Sequence, residues 1–152
     1  MEKVEDARMR RIAFVGSRDY PDMERVRLWV RVIGGADPTV VIVSGTFPHT
    51  KRSHNWGVDE HAIDQAMLLG LSYRVHAAKW TEHGRGAGMI RNGEIVKDSD
   101  QVIAFWDGSS HGTFDTINRC HKAKVPLIVF DGEGSIILER CWPPVLAQGK
   151  LL

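Results

Sequence analysis

The sequence predicts an α/β fold, Rossmann-like and doubly wound, with a mostly parallel sheet of about five strands and helices on both faces. The first observation is alternation, because short apolar runs are separated by segments whose apolar residues recur at steps of three and four. The second is that the strand at 39–43 is β-branched throughout, as expected when both faces are covered. The third is that glycine-containing turns follow the strands. Strands alternating with helices favour right-handed βαβ crossovers and hence a parallel sheet.

Length and composition fit one domain of an ordinary globular protein. The 152 residues are 43% hydrophobic and 26% charged, with a formal net charge of +1. We therefore expect a single domain over 1–152, with its core at about 11–131 and a tail, 132–152, packing on that core. The net charge argues against a nucleic-acid partner, and no membrane partner is expected. Two cysteines, no signal peptide and no apolar run near 18 residues predict a cytoplasmic protein.

In the first half of the chain, each apolar run ends at a turn signal. A strand at 11–15 stops at Gly16, and the helix after it begins near Pro21 and is predicted to end at the glycine pair 34–35. The 39–43 strand leads into a polar insertion loop, 46–56. The next helix, 58–69, stops at Gly70. A short strand follows at 71–76.

The second half repeats this alternation. A loop at 77–88 precedes a helix at 87–97, which keeps Gly93 in its interior. A buried strand at 102–105, a glycine-rich turn and a helix from Thr113 to Ala123 follow. The last elements are a strand at 126–130, a turn at 131–134 and a tail read as a short strand or extended cover.

The stretch 100–115 predicts where a ligand binds. In parallel sheets ligands bind beyond the carboxyl ends of the strands, where the strand order reverses. A strand, a glycine-rich turn and a helix N-terminus together offer free N–H groups and a positive dipole end to an anion. We therefore expect a phosphorylated small molecule at this rim, with no cofactor required. The candidate ligand- and phosphate-binding residues are Gly16, Ser17, Arg18, Ser44, Gly45, Asp59, Arg91, Asn92, Gly108, Ser109, Gly112 and Thr113.

Roles follow from side-chain chemistry. The guanidinium groups of Arg18 and Arg91 match phosphate oxygens, although each is open to a plain surface role. Asp107, at the end of a buried strand, is the candidate catalytic acid or ribose ligand, against the alternative of a turn residue. No metal is expected, because His49 and His54 share a loop that has no cysteine or carboxylate at ligand spacing.

These turns, in this order, resemble the SLOG superfamily, named for the Smf/DprA and Lonely-guy (LOG) proteins, and look most similar to its YspA/YpsA-related branch. The matching segments are Ala13-Phe-Val-Gly-Ser-Arg18, Val43-Ser-Gly45, Gly57-Val-Asp-Glu60, Trp80 with Gly84-Arg-Gly-Ala-Gly88, Arg91-Asn92, Ala104-Phe-Trp-Asp-Gly108 with Gly112-Thr113, and Val125-Pro126. The resemblance implies a Rossmann-like domain that binds nucleotides or nucleotide-derived ligands. Among its members, LOG proteins cleave an N-glycosidic bond, and DprA members bind single-stranded DNA.

The chain departs from the family pattern where the LOG reaction is carried out. The Pro-Gly-Gly of LOG enzymes is Trp106-Asp107-Gly108 here, and the glutamate that follows their Gly-Thr is replaced by Thr116. The usual Gly-Gly after the second strand is Gly45-Thr46, followed by the insertion loop. Threonine cannot supply the carboxylate that glycosidic cleavage needs, so LOG-type hydrolysis is in doubt.

Three function classes are weighed. The main hypothesis is a sensor, carrier or sequestering protein for AMP, ADP-ribose or an NAD-like molecule. The alternative is a LOG-like phosphoribohydrolase or nucleosidase with Asp107 or Asp115 as a rearranged acid. DprA-like binding of single-stranded DNA is ranked last, since a net charge of +1 gives little electrostatic attraction. Oligomeric state is left open, with Trp29 and the Trp142 tail as candidates for an interface between copies.

Overall fold

The computed structural model describes residues 9–48 and 55–141. Within this part of the chain the elements alternate along most of its length. The strands are β1 (Arg11–Gly16), β2 (Val41–Ser44), β3 (Ser72–Val75), β4 (Gln101–Phe105), β5 (Leu127–Phe130) and β6 (Ile136–Arg140). The helices are α1 (Met23–Ala36), α2 (Val58–Leu68), α3 (Trp80–His83), α4 (Ala87–Lys97) and α5 (His111–Ala123), with a 3-10 turn at Gly84–Gly86. No helix among these residues is long and apolar enough to cross a bilayer.

The strands form one sheet in the order β3-β2-β1-β4-β5-β6. The first five strands are parallel, and β6 is antiparallel to β5. The predicted α/β fold with a mostly parallel sheet is therefore confirmed. The strand order reverses between β1 and β4, which places a crevice beyond their carboxyl ends.

Two apolar cores lie on opposite faces of the sheet. Alternate strand residues such as Ile12 and Phe14 pack against α1 and α2 on one face. Their neighbours Ala13 and Val15 pack with residues of α4 and α5 on the other face. This two-sided burial is the reason that the central strands read as continuous apolar runs.

Helix α1 is longer than the sequence predicts. It continues through the glycine pair to Ala36, and the N–H of Asp37 donates to the carbonyl of Ile33 at 3.0 Å. Gly34 is buried against Leu71, and a Cβ there would lie 2.6 Å from a Leu71 methyl group. The glycine therefore serves helix packing, and Pro38 ends the helix because it disfavours helical backbone in the residue before it.

Two further predictions need correction or refinement. The segment 77–88, predicted as a loop, contains the short helix α3 and the 3-10 turn. The described part of the predicted tail, 132–141, contains β6, a short strand that pairs with β5. The predicted Trp142 interface and most of the insertion loop, including His49 and His54, lie outside the described residues.

Candidate functional site

A cavity of about 300 Å³ opens at the carboxyl end of the sheet, between β1, α4 and the start of α5. We call it the rim cavity. The predicted site residues that line it are Gly16, Asp59, Arg91, Asn92, Gly112 and Thr113. The further lining residues are Val15, Arg85, Gly88, Met89, Ile95, Ser110, His111 and Thr116. The fold thus brings Arg91 of α4 together with the start of α5, at the point where the strand order reverses.

The start of α5 supplies the hydrogen-bond donors of the cavity. The Ser110 hydroxyl caps the helix and accepts from the N–H of Thr113 at 3.3 Å. The N–H groups in the first turn of a helix have no partner within that helix. Those of His111 and Gly112 belong to residues that line the cavity. An anion held here meets both free amides and the positive end of the helix dipole.

Arg91 places a positive charge at the opposite wall. Its Nη1 donates to the Gly45 carbonyl at 2.6 Å, and its Nε donates to the side-chain oxygen of Asn92 at 3.2 Å. Asn92 in turn donates to Asp115 and to the Gly112 carbonyl. These bonds fix the direction of the guanidinium, so less conformational entropy is lost when it binds an anion.

Asp59 brings a carboxylate into the same cavity. Desolvation raises its pKa to about 6, although Arg91 and a hydrogen bond from the Gly45 N–H act in the other direction. The carboxylate and an incoming anion therefore compete for the same cationic wall. At neutral pH the ionised Asp59 weakens anion binding in this cavity.

Other predicted residues serve contacts within the protein. The hydroxyl of Ser44 donates to the Phe14 carbonyl at 2.7 Å, and that of Ser17 accepts from the Asp107 N–H at 3.1 Å. Arg18 is 65% exposed, donates to the carbonyl of Asn55, and lies 3.8 Å from the buried Glu60 carboxylate. None of these side chains lines the rim cavity.

Asp107 closes the turn after β4. Its carboxylate accepts the N–H groups of Ser109 and Ser110, each at 2.9 Å. The Ser109 hydrogen bond is the main reason that the pKa of Asp107 lies below its usual value. Gly108 has a φ of 90°, which favours glycine, and completes the turn. A carboxylate that stays ionised at neutral pH is a poor proton donor.

The lining residues absent from the predicted set are Val15, Arg85, Gly88, Met89, Ile95, Ser110, His111 and Thr116, and two of them come from the 77–88 segment. Arg85 and Gly88 line the cavity, and Trp80, 60% exposed, lies so that its ring is 3.6 Å from the Cβ that Gly88 lacks. The glycine-rich run that precedes α4 was the feature of the sequence that indicated Arg85 and Gly88. The sequence places Trp80 at the border of the site, as a ring that stacks on a base or packs at the rim, but the segment was predicted as a loop and the short helix that carries this ring was missed.

Comparison with known proteins assigns the fold. No protein-family model matches the chain. It is similar to a solved chain of DNA processing protein A from Helicobacter pylori, studied for its single-stranded DNA binding mode, with a TM-score of 0.62 and 18% identity over 92% of this chain and 72% of that one. The fold is that of DNA processing protein A.

A second solved structure agrees with this fold, and one relative is similar in sequence. DNA processing protein A (DprA) from Streptococcus pneumoniae gives a TM-score of 0.62 at 20% identity, and the match covers 89% of this chain but only about half, 54%, of that one. In sequence, the chain is 29% identical over 129 residues to the Gene 61 protein of Mycobacterium phage D29, covering 97% of that protein.

Two predictions are wrong in the light of these neighbours. The predicted free nucleotide-derived ligand is wrong, because the similar solved structures are DNA-processing proteins, one of them studied for its single-stranded DNA binding mode. These structures favour the alternative that was ranked last. The argument against a nucleic-acid partner fails with it. Its physical error was to use the net charge of the whole chain, whereas Arg85 and Arg91 concentrate positive charge at one cavity.

Proposed function

We propose that this protein binds single-stranded DNA at the rim cavity. The observation that carries the proposal is the junction of a cavity that holds two arginines and a helix N-terminus with an exposed aromatic ring, on the fold of DprA. Proteins that bind single strands combine a positive groove for the backbone with aromatic rings on which bases stack. Both parts are present within one short segment, from Trp80 to Arg91.

The cavity suits a phosphate of the DNA backbone. Arg91 and Arg85 supply positive charge, and the first turn of α5 supplies amide donors. The volume of about 300 Å³ is open to solvent at the end of the sheet, so a strand can enter and leave. A phosphate bound here carries no sequence information, and we expect little base preference from this contact.

The aromatic rings supply the second part of the proposal. Trp80 stands at the cavity edge over Gly88. Near the start of α5, Trp106 and the half-exposed Phe114 stack with ring centroids 5.6 Å apart, and the Trp106 indole donates to the carbonyl of Ser110, which lines the cavity. Bases on either side of the bound phosphate then have a ring to stack on, and stacking tolerates any base.

The test is a binding series with fluorescently labelled oligonucleotides, followed by anisotropy. We expect single strands to bind more tightly than the matching duplex, with an affinity that falls steeply as salt rises. As a control, Lys122→Ala should bind single strands as tightly as the unmodified protein does. It removes a cation at the far end of α5, about 16 Å along the helix from His111. Equal binding of duplex and single strand, or displacement of the strand by AMP at low concentration, would contradict the proposal.

We also propose that the chain lies in the YspA/YpsA-related branch of the SLOG superfamily. The support is the order of segments after the strands, from Gly16-Ser17-Arg18 to Gly112-Thr113. Further solved structures of that branch test it, since they should match this sheet order and α3 more closely than the DprA chains do.

A further inference from the structure

A second opening lies between the edge strand β3 and the C-terminal half of α4. It is a groove of about 700 Å³, lined by Arg74, His76, Lys79, Glu94, Lys97 and Asp98 among others. Arg74 is in register with Val43, which belongs to the core under α4 and α5. Arg74 therefore projects from that same face of the sheet, toward α4. The groove runs from the rim down the side of α4.

The groove is arranged to present positive charge. Asp98, at the end of α4, accepts from Arg74 at 2.7 Å and contacts His76 Nε2 at 2.7 Å. Arg11 reaches the same carboxylate at 3.1 Å from the opposite side, so Asp98 is neutralised within the protein. Arg74 nevertheless remains 50% exposed, and Lys79 and Lys97 are exposed. An anion in the groove thus meets Arg74, which Asp98 already holds in place, and the two exposed lysines, which outnumber the remaining carboxylate of the lining, Glu94.

One short segment of the chain, 79–85, connects a residue of the groove to a residue of the rim cavity. Lys79 lies on the groove and Arg85 on the cavity, and the exposed Trp80 stands between them in the chain. Helix α4 separates the two openings, with Arg91 on the cavity and Lys97 on the groove. A strand that leaves the cavity over α3 therefore reaches a second set of cations.

We propose that this groove holds the sugar–phosphate backbone of the same DNA strand after it leaves the rim cavity, and that Arg74, Lys79 and Lys97 contact its phosphates. The inference rests on the proposed function and extends it, because it gives the direction in which the strand runs and a footprint larger than one cavity. An oligonucleotide long enough to reach the groove binds more tightly than a short one, and it binds with a steeper salt dependence.

The experiment compares oligothymidylates of about 5 and about 15 nucleotides, lengths at the two ends of the usual range for single-strand sites. The variant is the double charge reversal Lys79→Glu/Lys97→Glu, and the control is Lys122→Glu/Arg140→Glu, which changes the net charge equally at exposed positions elsewhere. We expect the groove variant to lose about tenfold in affinity for the long strand, with the salt slope reduced by about 1.4. Its affinity for the short strand stays near that of the unmodified protein, which also shows that the variant is folded.

The possible outcomes separate the two proposals. If the long strand gains nothing over the short one, or if the control loses as much as the groove variant, the groove is not part of the path and binding at the cavity stands. If the unmodified protein binds neither strand, the proposed function itself fails. Selective loss of the long strand in the groove variant supports both.

Discussion

The two halves of the rim look alike in sequence but differ in what their polar groups do. In the half after β1 and β2, which we call the closed half, Ser17 and Ser44 are buried. Ser44 is hydrogen-bonded to the backbone of β1, and Ser17 to the backbone of the turn after β4. In the half formed by α4 and the start of α5, the open half, Arg91 and Thr113 line the cavity. The difference teaches that a hydroxyl after a strand is as suited to joining strands as to holding a ligand. The N–H groups in the first turn of a helix, by contrast, have no partner within that helix and stay available to a ligand.

The largest effect on DNA binding is expected from Arg91→Ala, in the open half. Loss of a charged hydrogen-bond donor at a phosphate costs about 1.5–3 kcal/mol, or roughly 10- to 100-fold in affinity. The slope of affinity against salt should fall by about 0.7. Anisotropy titration at several salt concentrations measures both quantities. Arg31→Ala, which removes a cation paired with Glu24 on α1, is the control, and equal losses in the two variants would remove the distinction between the halves.

The second largest loss of DNA affinity is expected from Trp80→Ala. Removal of a stacking ring costs about 1–3 kcal/mol per base, so we expect roughly a tenfold loss of affinity for single strands. Trp80→Phe keeps a ring and should recover most of that loss. The salt slope should not change in either variant, because no phosphate contact is removed. If alanine and phenylalanine behave alike, the ring is not a stacking surface.

Asp59→Asn tests the carboxylate between the halves and predicts a pH dependence. The pKa of Asp59 is about 6 in the folded protein against 3.8 for the free side chain. The carboxylate becomes charged as pH rises through 6, so DNA affinity should fall over that range, by a few-fold. Folding stability should fall as pH rises from about 4 to 6, since the folded state retains the proton longer than the unfolded state.

The asparagine variant should bind more tightly than the unmodified protein above pH 6 and should lack this step. His111 lines the same cavity and is retained in both proteins, so its contribution to binding is common to the two. Titration of both proteins at pH 5, 6, 7 and 8 measures the difference. A pH step of the same size in the asparagine variant would assign it to another group.

The smallest effect on binding is expected in the closed half. Ser44→Ala removes the buried hydrogen bond to Phe14 and should lower the free energy of unfolding by about 1 kcal/mol. DNA affinity should stay unchanged, because the Ser44 side chain does not line the cavity. Urea unfolding and anisotropy measure the two quantities. Weaker DNA binding with unchanged stability would place Ser44 in the open half.

The sequence was a good guide to the fold because burial on both faces leaves a direct trace in it. The continuous apolar runs of β1, β2 and β4 and the helix at 87–97 were predicted within one or two residues. The end of α1 was missed because a glycine pair signals both a helix stop and a close approach, and only the position of Leu71 distinguishes them. Such tertiary contacts leave no local signal.

The site was harder to predict than the fold, for two physical reasons. Side-chain direction decides whether a polar residue faces the cavity, and for Ser17 and Arg18 that direction depends on strands and helices distant in sequence. The proposed nucleic-acid partner was ranked last because net charge averages over the whole surface. Binding responds to the field at one place, where Arg85 and Arg91 are close to the cavity.

Gly16 sets the width of the crevice at its base. A Cβ at this position would lie 2.5 Å from the Phe105 carbonyl and 2.6 Å from a methyl group of Val58. Any larger residue must therefore push β1 away from β4, or α2 away from both. A binding defect in a Gly16 variant would report a change in the spacing of the supporting strands, and mutational maps of the pocket should assign that position to the scaffold.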